Sequence, residues 1–229
     1  PSAIFCARFL ISINGFETKR ARREEIMTAI IAIESNDLFK SVEIGDEIDQ
    51  AIGSSLYLEK GTKVDIIELV YGLLLRSGND AAMAIAKNVG GSVEKFVEMM
   101  NDKARLIGMK NTTFNNPSGL DMFDEGNLST SYDLALMMRY AMSNKLFREI
   151  DSSKSYKSLV KGTWYNKHKL LQNYEYAIGG KTGYTKKARR TLITSACKDN
   201  LELIVVTLDC GNDFSLHKQL FEKYFNNYT

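Results

Sequence analysis

Two short strings in this 229-residue chain carry side chains that could do chemistry together. The first is Gly179-Gly180-Lys181-Thr182-Gly183-Tyr184-Thr185, just ahead of an apolar, strand-like run from Thr191 to Ala196. Glycine beside a strand marks close approach of another backbone or of a ligand. A lysine fixed there is a cation suited to a carboxylate. The second string, far upstream, is Ser77-Gly78-Asn79, a hydroxyl and an amide at a break between two apolar runs of helical period. Each also has a plainer reading: a glycine-rich turn with a solvated lysine, and a helix break with its cap.

The flanking text separates the readings. Ser-x-Asn followed by Lys-Thr-Gly belongs to a motif set of penicillin-binding proteins and β-lactamases. In this chain Leu73-Leu74-Leu75 and Ser77-Gly78-Asn79-Asp80-Ala81-Ala82 come first. Asn116-Pro117-Ser118-Gly119-Leu120-Asp121, Ser129-Thr130-Ser131-Tyr132-Asp133-Leu134-Ala135 and the Lys181 string follow in order. In that order they resemble the serine-type D-alanyl-D-alanine carboxypeptidases, the low-molecular-mass penicillin-binding proteins, from about Ile26 to the C-terminus.

The resemblance implies an α+β fold of the β-lactamase/transpeptidase kind: an antiparallel sheet with flanking helices plus an all-helical lobe, the active site between them. It makes residues 1–229 a single domain, with a sheet lobe over about 1–40 and 150–229 and a helical lobe over about 41–149. It implies no cofactor and no metal. The partner is a peptidoglycan stem peptide ending in D-Ala-D-Ala, β-lactams can take the same site, and the place of work lies outside the cytoplasm. Ser77 would relay a proton near the nucleophile and Asn79 would bind the substrate peptide. Lys181 would line the cleft and, with Thr182, face the substrate carboxylate. Gly183 and Tyr184 would offer backbone groups to the extended peptide, with the Tyr184 N–H as one oxyanion donor.

The resemblance breaks at the nucleophile. The family carries Ser-x-x-Lys at the start of its first core helix, where one turn puts both side chains on one face. The serine attacks and the lysine takes its proton. Here the run Ile26-Met27-Thr28-Ala29 follows Ala21-Arg22-Arg23-Glu24-Glu25, so Arg22 stands at the serine position and Glu25 at the lysine position. Arginine is no nucleophile and stays protonated. The backbone N–H at position 22, the second oxyanion donor by resemblance, survives the change. Ser92–Lys95, Ser158–Lys161 and Ser195–Lys198 repeat the spacing, but all fall after Ser77 and in the wrong elements. The departures cluster in residues 1–25. One reading is a disturbed frame: the codons AGC ACG ACG, read one base late, give Ala-Arg-Arg. The other is a true pseudoenzyme. A β-lactamase is disfavoured, because Ser77-Gly78-Asn79 differs from Ser-Asp-Asn and the 111–131 loop offers no matching glutamate.

The elements that must hold these residues follow from periodicity. Ala3-Ile4-Phe5-Cys6 and Phe9–Ile13 read as strands, and Asn14-Gly15 as a turn. Ile26, Ile30 and Ile33 recur at helical spacing, with a helix over 26–35 expected to cover a sheet face. Ile66–Leu74 is a helix with a wide apolar face. Ala81–Val89 restarts after the break, with Asn79 or Asp80 as cap and Gly90-Gly91 as stop. Val93–Ile107 ends at Gly108, and Asp133–Ser143 is helical. Thr191–Ala196 and Leu201–Leu208 form a hairpin through Lys198-Asp199-Asn200, and Phe214–Tyr224 is a closing helix over the sheet.

Bulk properties set the outer limits. With 44% apolar residues, disorder is excluded. Thirty basic against 28 acidic residues give no reason to expect nucleic acid. Cys6, Cys197 and Cys210 are too few for a disulfide framework, and the last two read as small buried hydrophobes. His168 and His217 stand apart and make no metal motif. The chain shows no signal peptide and no stretch that would encode membrane attachment.

Overall fold

The computed structural model describes residues 7–12, 18–20, 24–119 and 126–228. Arg22, Cys6, the Ala3–Cys6 run, the Asn14-Gly15 turn and Leu120-Asp121 lie outside these residues. In chain order the elements are strands β1 (Ala7–Ser12) and β2 (Lys19–Arg20), helix α1 (Glu24–Glu34), and strands β3 (Ser41–Glu43) and β4 (Lys63–Asp65). Helices α2 (Ile66–Arg76), α3 (Asn79–Gly90) and α4 (Val93–Ile107), strand β5 (Leu128–Ser129), and helices α5 (Ser131–Ala141) and α6 (Lys145–Ser152) come next. The last part holds β6 (Ser155–Ser158), β7 (Gly162–Tyr165), α7 (Lys169–Asn173), β8 (Ala177–Thr185), β9 (Arg189–Lys198), β10 (Leu201–Leu208) and α8 (Asp213–Tyr228).

Four strands make the main sheet in the order β1-β10-β9-β8. β8, β9 and β10 run antiparallel, and β1 joins β10 in parallel, so the sheet is antiparallel except at one edge. Asp199 and Asn200 turn the β9–β10 hairpin with φ of 48° and 65°, the left-handed pair that a two-residue turn needs. The strand period of two sorts β10 between two cores. Leu201, Leu203 and Val205 pack with Phe221 and Phe225 of α8, while Ile204, Val206 and Leu208 join the helical core on the other face.

Helix α1 does not cover the sheet. Every residue from Glu24 to Ala32 is buried, and the helix packs among α2, α3, α4, α5 and α6. A helix buried all round belongs at the centre of a bundle rather than on a surface layer. The sheet's inner face is covered instead by α5, and β8 by α6. Helix α6 was missed by periodicity; its signal was local, since Asn144 caps it by accepting from the N–H groups of Leu146 (2.9 Å) and Phe147 (3.1 Å). The expected cap on α3 is also corrected. Gly78 takes the N-cap position without a side-chain bond. Asp80 instead gathers the 55–58 segment, accepting from Ser55 Oγ at 2.6 Å and from the N–H groups of Leu56 and Leu58. Cys197 and Cys210 are partly exposed rather than buried.

Candidate active site

The break between α2 and α3 fixes Ser77. Its N–H returns to Leu73 O at 2.9 Å, and its backbone is left-handed, with φ of 58°. A non-glycine residue held there carries local strain of about 1 kcal/mol or more. That turn points Ser77 Oγ at Lys181 on β8, whose Nζ donates to it. Lys181 Nζ also reaches Thr182 O at 3.2 Å and lies 3.3 Å from Glu25 Oε1 on the first turn of α1. Glu25 and Lys181 are 0% and 2% exposed. Loop serine, strand lysine and helix-tip glutamate, far apart in sequence, therefore share one buried cluster.

Asn79 is buried beside it. Its N–H meets Ser54 O at 2.8 Å, and its Nδ2 donates to Ile52 O at 2.5 Å. These bonds tie the 52–54 segment over the start of α3. Ser54, Ser77, Thr182, Gly183 and Tyr184 line a cleft of about 410 Å³, and Lys167, Arg190, Asp213 and Phe214 complete its wall. Lys181 and Asn79 sit behind this wall. Arg190 is forked onto Asp213, Nη2 to Oδ1 at 2.8 Å and Nε to Oδ2 at 3.1 Å. Arg22 falls outside the described residues.

Several buried polar groups support the site without a sequence signal. Glu24, next to Glu25, accepts from Asn127 Nδ2 at 3.1 Å. Asn127 Oδ1 in turn accepts the N–H groups of Asn115 and Asn116, and Thr28 on α1 donates to Pro117 O. Asp151 on α6 accepts the Gly180 N–H at 2.7 Å, directly behind Lys181. Burial pushes this carboxyl up to about 7, although the Gly180 N–H and the Lys181 charge pull it down. His168 Nε2 lies 3.1 Å from Ile193 O and 3.0 Å from Thr194 Oγ1. Thr194 Oγ1 is also 2.9 Å from His217 Nδ1, so the two histidines share a hydroxyl inside the sheet lobe. Only the Asn-Asn-Pro-Ser-Gly text hinted at any of this, by marking the 111–119 loop as ordered.

The three repeats of Ser-x-x-Lys spacing have other jobs. Ser92 caps α4, accepting from Lys95 N at 3.2 Å. Ser158 donates to the buried Glu68. Ser195 is fully buried within β9.

The arrangement has counterparts among known proteins. The sequence profile described as D-alanyl-D-alanine carboxypeptidase matches residues 18–212. D-alanyl-D-alanine carboxypeptidase DacF of Bacillus subtilis is 34% identical over 196 residues, covering 81% of this chain and 50% of the relative. DacB2 of Mycobacterium tuberculosis is 35% identical over 192 residues, covering 80% of this chain and 64% of the relative. The chain thus spans 50% and 64% of the length of these two relatives. A D-alanyl-D-alanine carboxypeptidase crystal structure from Mycobacterium tuberculosis superposes with a TM-score of 0.80 at 32% identity, covering 85% of this chain and 75% of that one. The Streptomyces K15 DD-transpeptidase does so with 0.78 at 29% identity, covering 85% and 82%. With motif order, fold and profile in agreement, the chain belongs to the D-alanyl-D-alanine carboxypeptidase family.

Proposed function

We propose that this chain recognises peptidoglycan stem peptides ending in D-Ala-D-Ala in the Ser77–Tyr184 cleft, outside the cytoplasm, and that its acyl-transfer step is impaired. One observation carries the reading. The Lys181 ammonium is held between the Ser77 hydroxyl and a carboxylate, Glu25, at the position where the family places the lysine that takes the nucleophile's proton. Acyl transfer needs a hydroxyl or thiol nucleophile with a base beside it. The chain has arginine at position 22 and an acid at position 25.

Recognition of the peptide stands on different parts. β8 is the last strand of its sheet, and an extended peptide can add to such an edge through backbone bonds. The Gly180 N–H points out of the ladder, toward Asp151. Strand alternation gives the Thr182 and Tyr184 N–H groups the same side. Ser77, Thr182, Gly183 and Tyr184 then contact the peptide, while Asn79 and Lys181 hold the wall from behind. Titration calorimetry with diacetyl-L-Lys-D-Ala-D-Ala, run beside labelling with a fluorescent penicillin, tests both halves. Peptide binding without a covalent label is expected. A label on any serine overturns the impairment, and absence of peptide binding overturns the recognition. A non-catalytic muropeptide-binding module is the limiting form of this reading, in which residual peptide cleavage is zero.

A further inference from the structure

The β6–β7 hairpin takes no part in the cleft's core, yet its composition is unlike the rest of the chain. From Ser152 to Tyr174 there are five lysines, at 154, 157, 161, 167 and 169, and no aspartate or glutamate. The chain as a whole is nearly balanced, 30 basic to 28 acidic residues. All five lysines are exposed. The hairpin's two faces are sharply different. On the inner face Tyr156 stacks on Tyr71 with ring centroids 3.9 Å apart, and Trp164 is buried. Cross-strand pairing sets Ser155 against Tyr165 and Lys157 against Thr163, and these four residues make the outward face. At the tip Leu159 is 87% exposed, and Tyr165 on the outward face is 63% exposed.

The tip is held, not loose. Glu68 accepts from both Ser158 Oγ and the Leu159 N–H, and Lys161 pairs with Glu59 at 2.5 Å. Asp65 and Glu68 act on Tyr156, whose ring stacks on Tyr71 at the inner face. The held turn thus presents an exposed leucine, while Lys157 and, at the hairpin's other end, Tyr165 lie on the outward face; Glu59 meets Lys161 at the tip. Solvated lysines alone would not require a leucine at the apex. A purely polyanionic partner would not use it either. Lysines that reach phosphate while leucine and tyrosine enter the headgroup region fit a lipid surface. Clustered lysines gain from the negative potential of an anionic leaflet.

We propose that the β6–β7 hairpin docks this chain on the surface of a bilayer containing anionic phospholipid. The contact is peripheral, made by one turn and its lysines, and involves no spanning segment.

Vesicle co-sedimentation of the whole chain tests this, using phosphatidylcholine alone and phosphatidylcholine with phosphatidylglycerol. Binding is expected only with phosphatidylglycerol, and is expected to fall in half-molar salt, as charges separated by more than a Debye length are screened (about 3 Å at 1 M). Lys154→Glu with Lys157→Glu should weaken it by about tenfold or more, at about one charge interaction per lysine. Leu159→Ser should weaken it severalfold, with the far-ultraviolet spectrum unchanged. Equal binding to both vesicle types, or salt-insensitive binding, would overturn the proposal without any variant. Full binding by Leu159→Ser, or retention of the wild-type chain on immobilised polyphosphate as strong as on vesicles, would assign the surface to a soluble polyanion instead. These readouts do not depend on peptide recognition in the cleft, so the two readings fail separately.

Discussion

Lys181 Nζ lies 3.3 Å from Glu25 Oε1, and the two side chains are 2% and 0% exposed. A buried pair of this kind costs desolvation on both sides and recovers it only through good geometry. Here the ammonium is further bonded to Ser77 Oγ and Thr182 O. The pair spans the three elements that make the site: the tip of α1, the α2–α3 break and β8. Glu25 thus neutralises the one cation that the Lys-Thr-Gly string places there, and the cluster resembles a structural clamp as much as a reaction centre.

Breaking the clamp from either side should be costly. Glu25→Gln leaves a buried ammonium without its counter-charge, and Lys181→Met leaves a buried carboxylate. Each is expected to lower stability by about 3–5 kcal/mol. The double variant removes both charges and should cost well under the sum, because contacting residues are coupled. Urea midpoints for the four proteins measure this; additive losses would show that the two side chains do not interact in solution.

Restoring the missing chemistry is the sharper trial of the site. Arg22→Ser with Glu25→Lys restores the Ser-x-x-Lys spacing, which by the family resemblance puts a hydroxyl and an amine one helical turn apart. The double variant should form a covalent adduct with fluorescent penicillin, visible on a denaturing gel, while the wild-type chain and each single variant stay dark. A folded double variant that stays dark would mean that position 22 does not face Ser77.

What could be read from the sequence was local. Ser77, Gly91 and Gly108 stop or interrupt helices with left-handed backbones, and each stood out as a break in an apolar period. The Asp199-Asn200 turn and the strands it joins were equally plain. The layer against which a helix packs was not legible: the Ile26, Ile30, Ile33 stripe marks burial but does not say that α1 packs chiefly among α2, α3, α4, α5 and α6. Partners of buried polar residues were hidden for the same reason. Asp80 looked like a cap because caps are local, yet it bonds a segment more than twenty residues earlier. Asp151 and the histidine pair around Thr194 have meaning only once β8 and β9 are folded against them.

Asp151 makes stability depend on pH. Its ordinary value of 3.8 is raised to about 7 in the fold, chiefly by burial. The native state therefore holds a proton that the unfolded chain has already released. This contribution is complete below about pH 4 and is lost as pH rises through about 7. Asp151→Asn cannot titrate, and its amide oxygen can still accept the Gly180 N–H. The wild-type chain should lose more stability than the variant between pH 5 and pH 8, by an amount on the order of a few kcal/mol. Thermal melts across that range decide it, and parallel pH curves would remove Asp151 as the cause.

Gly119 and Gly91 offer a paired test of how tightly the α1 tip is held. Both have left-handed backbones, with φ of 67° and 79°. A Cβ on Gly91 meets nothing within 4 Å, so Gly91→Ala should cost only the backbone preference, about 1–2 kcal/mol. A Cβ on Gly119 would fall 1.6 Å from Glu24 Oε1 and 2.2 Å from its Cδ. Glu24 cannot swing away freely, because it is buried and bonded to Asn127, which also anchors the 115–116 backbone. Gly119→Ala must therefore move a buried carboxylate as well as strain the chain, and a loss of about 3–5 kcal/mol is expected. Because Glu24 adjoins Glu25, the same variant should shrink the Glu25–Lys181 coupling measured by the double-mutant cycle, whereas Gly91→Ala should leave it intact. Equal costs for the two alanines, with unchanged coupling, would mean that the loop yields and the helix tip is not clamped from that side.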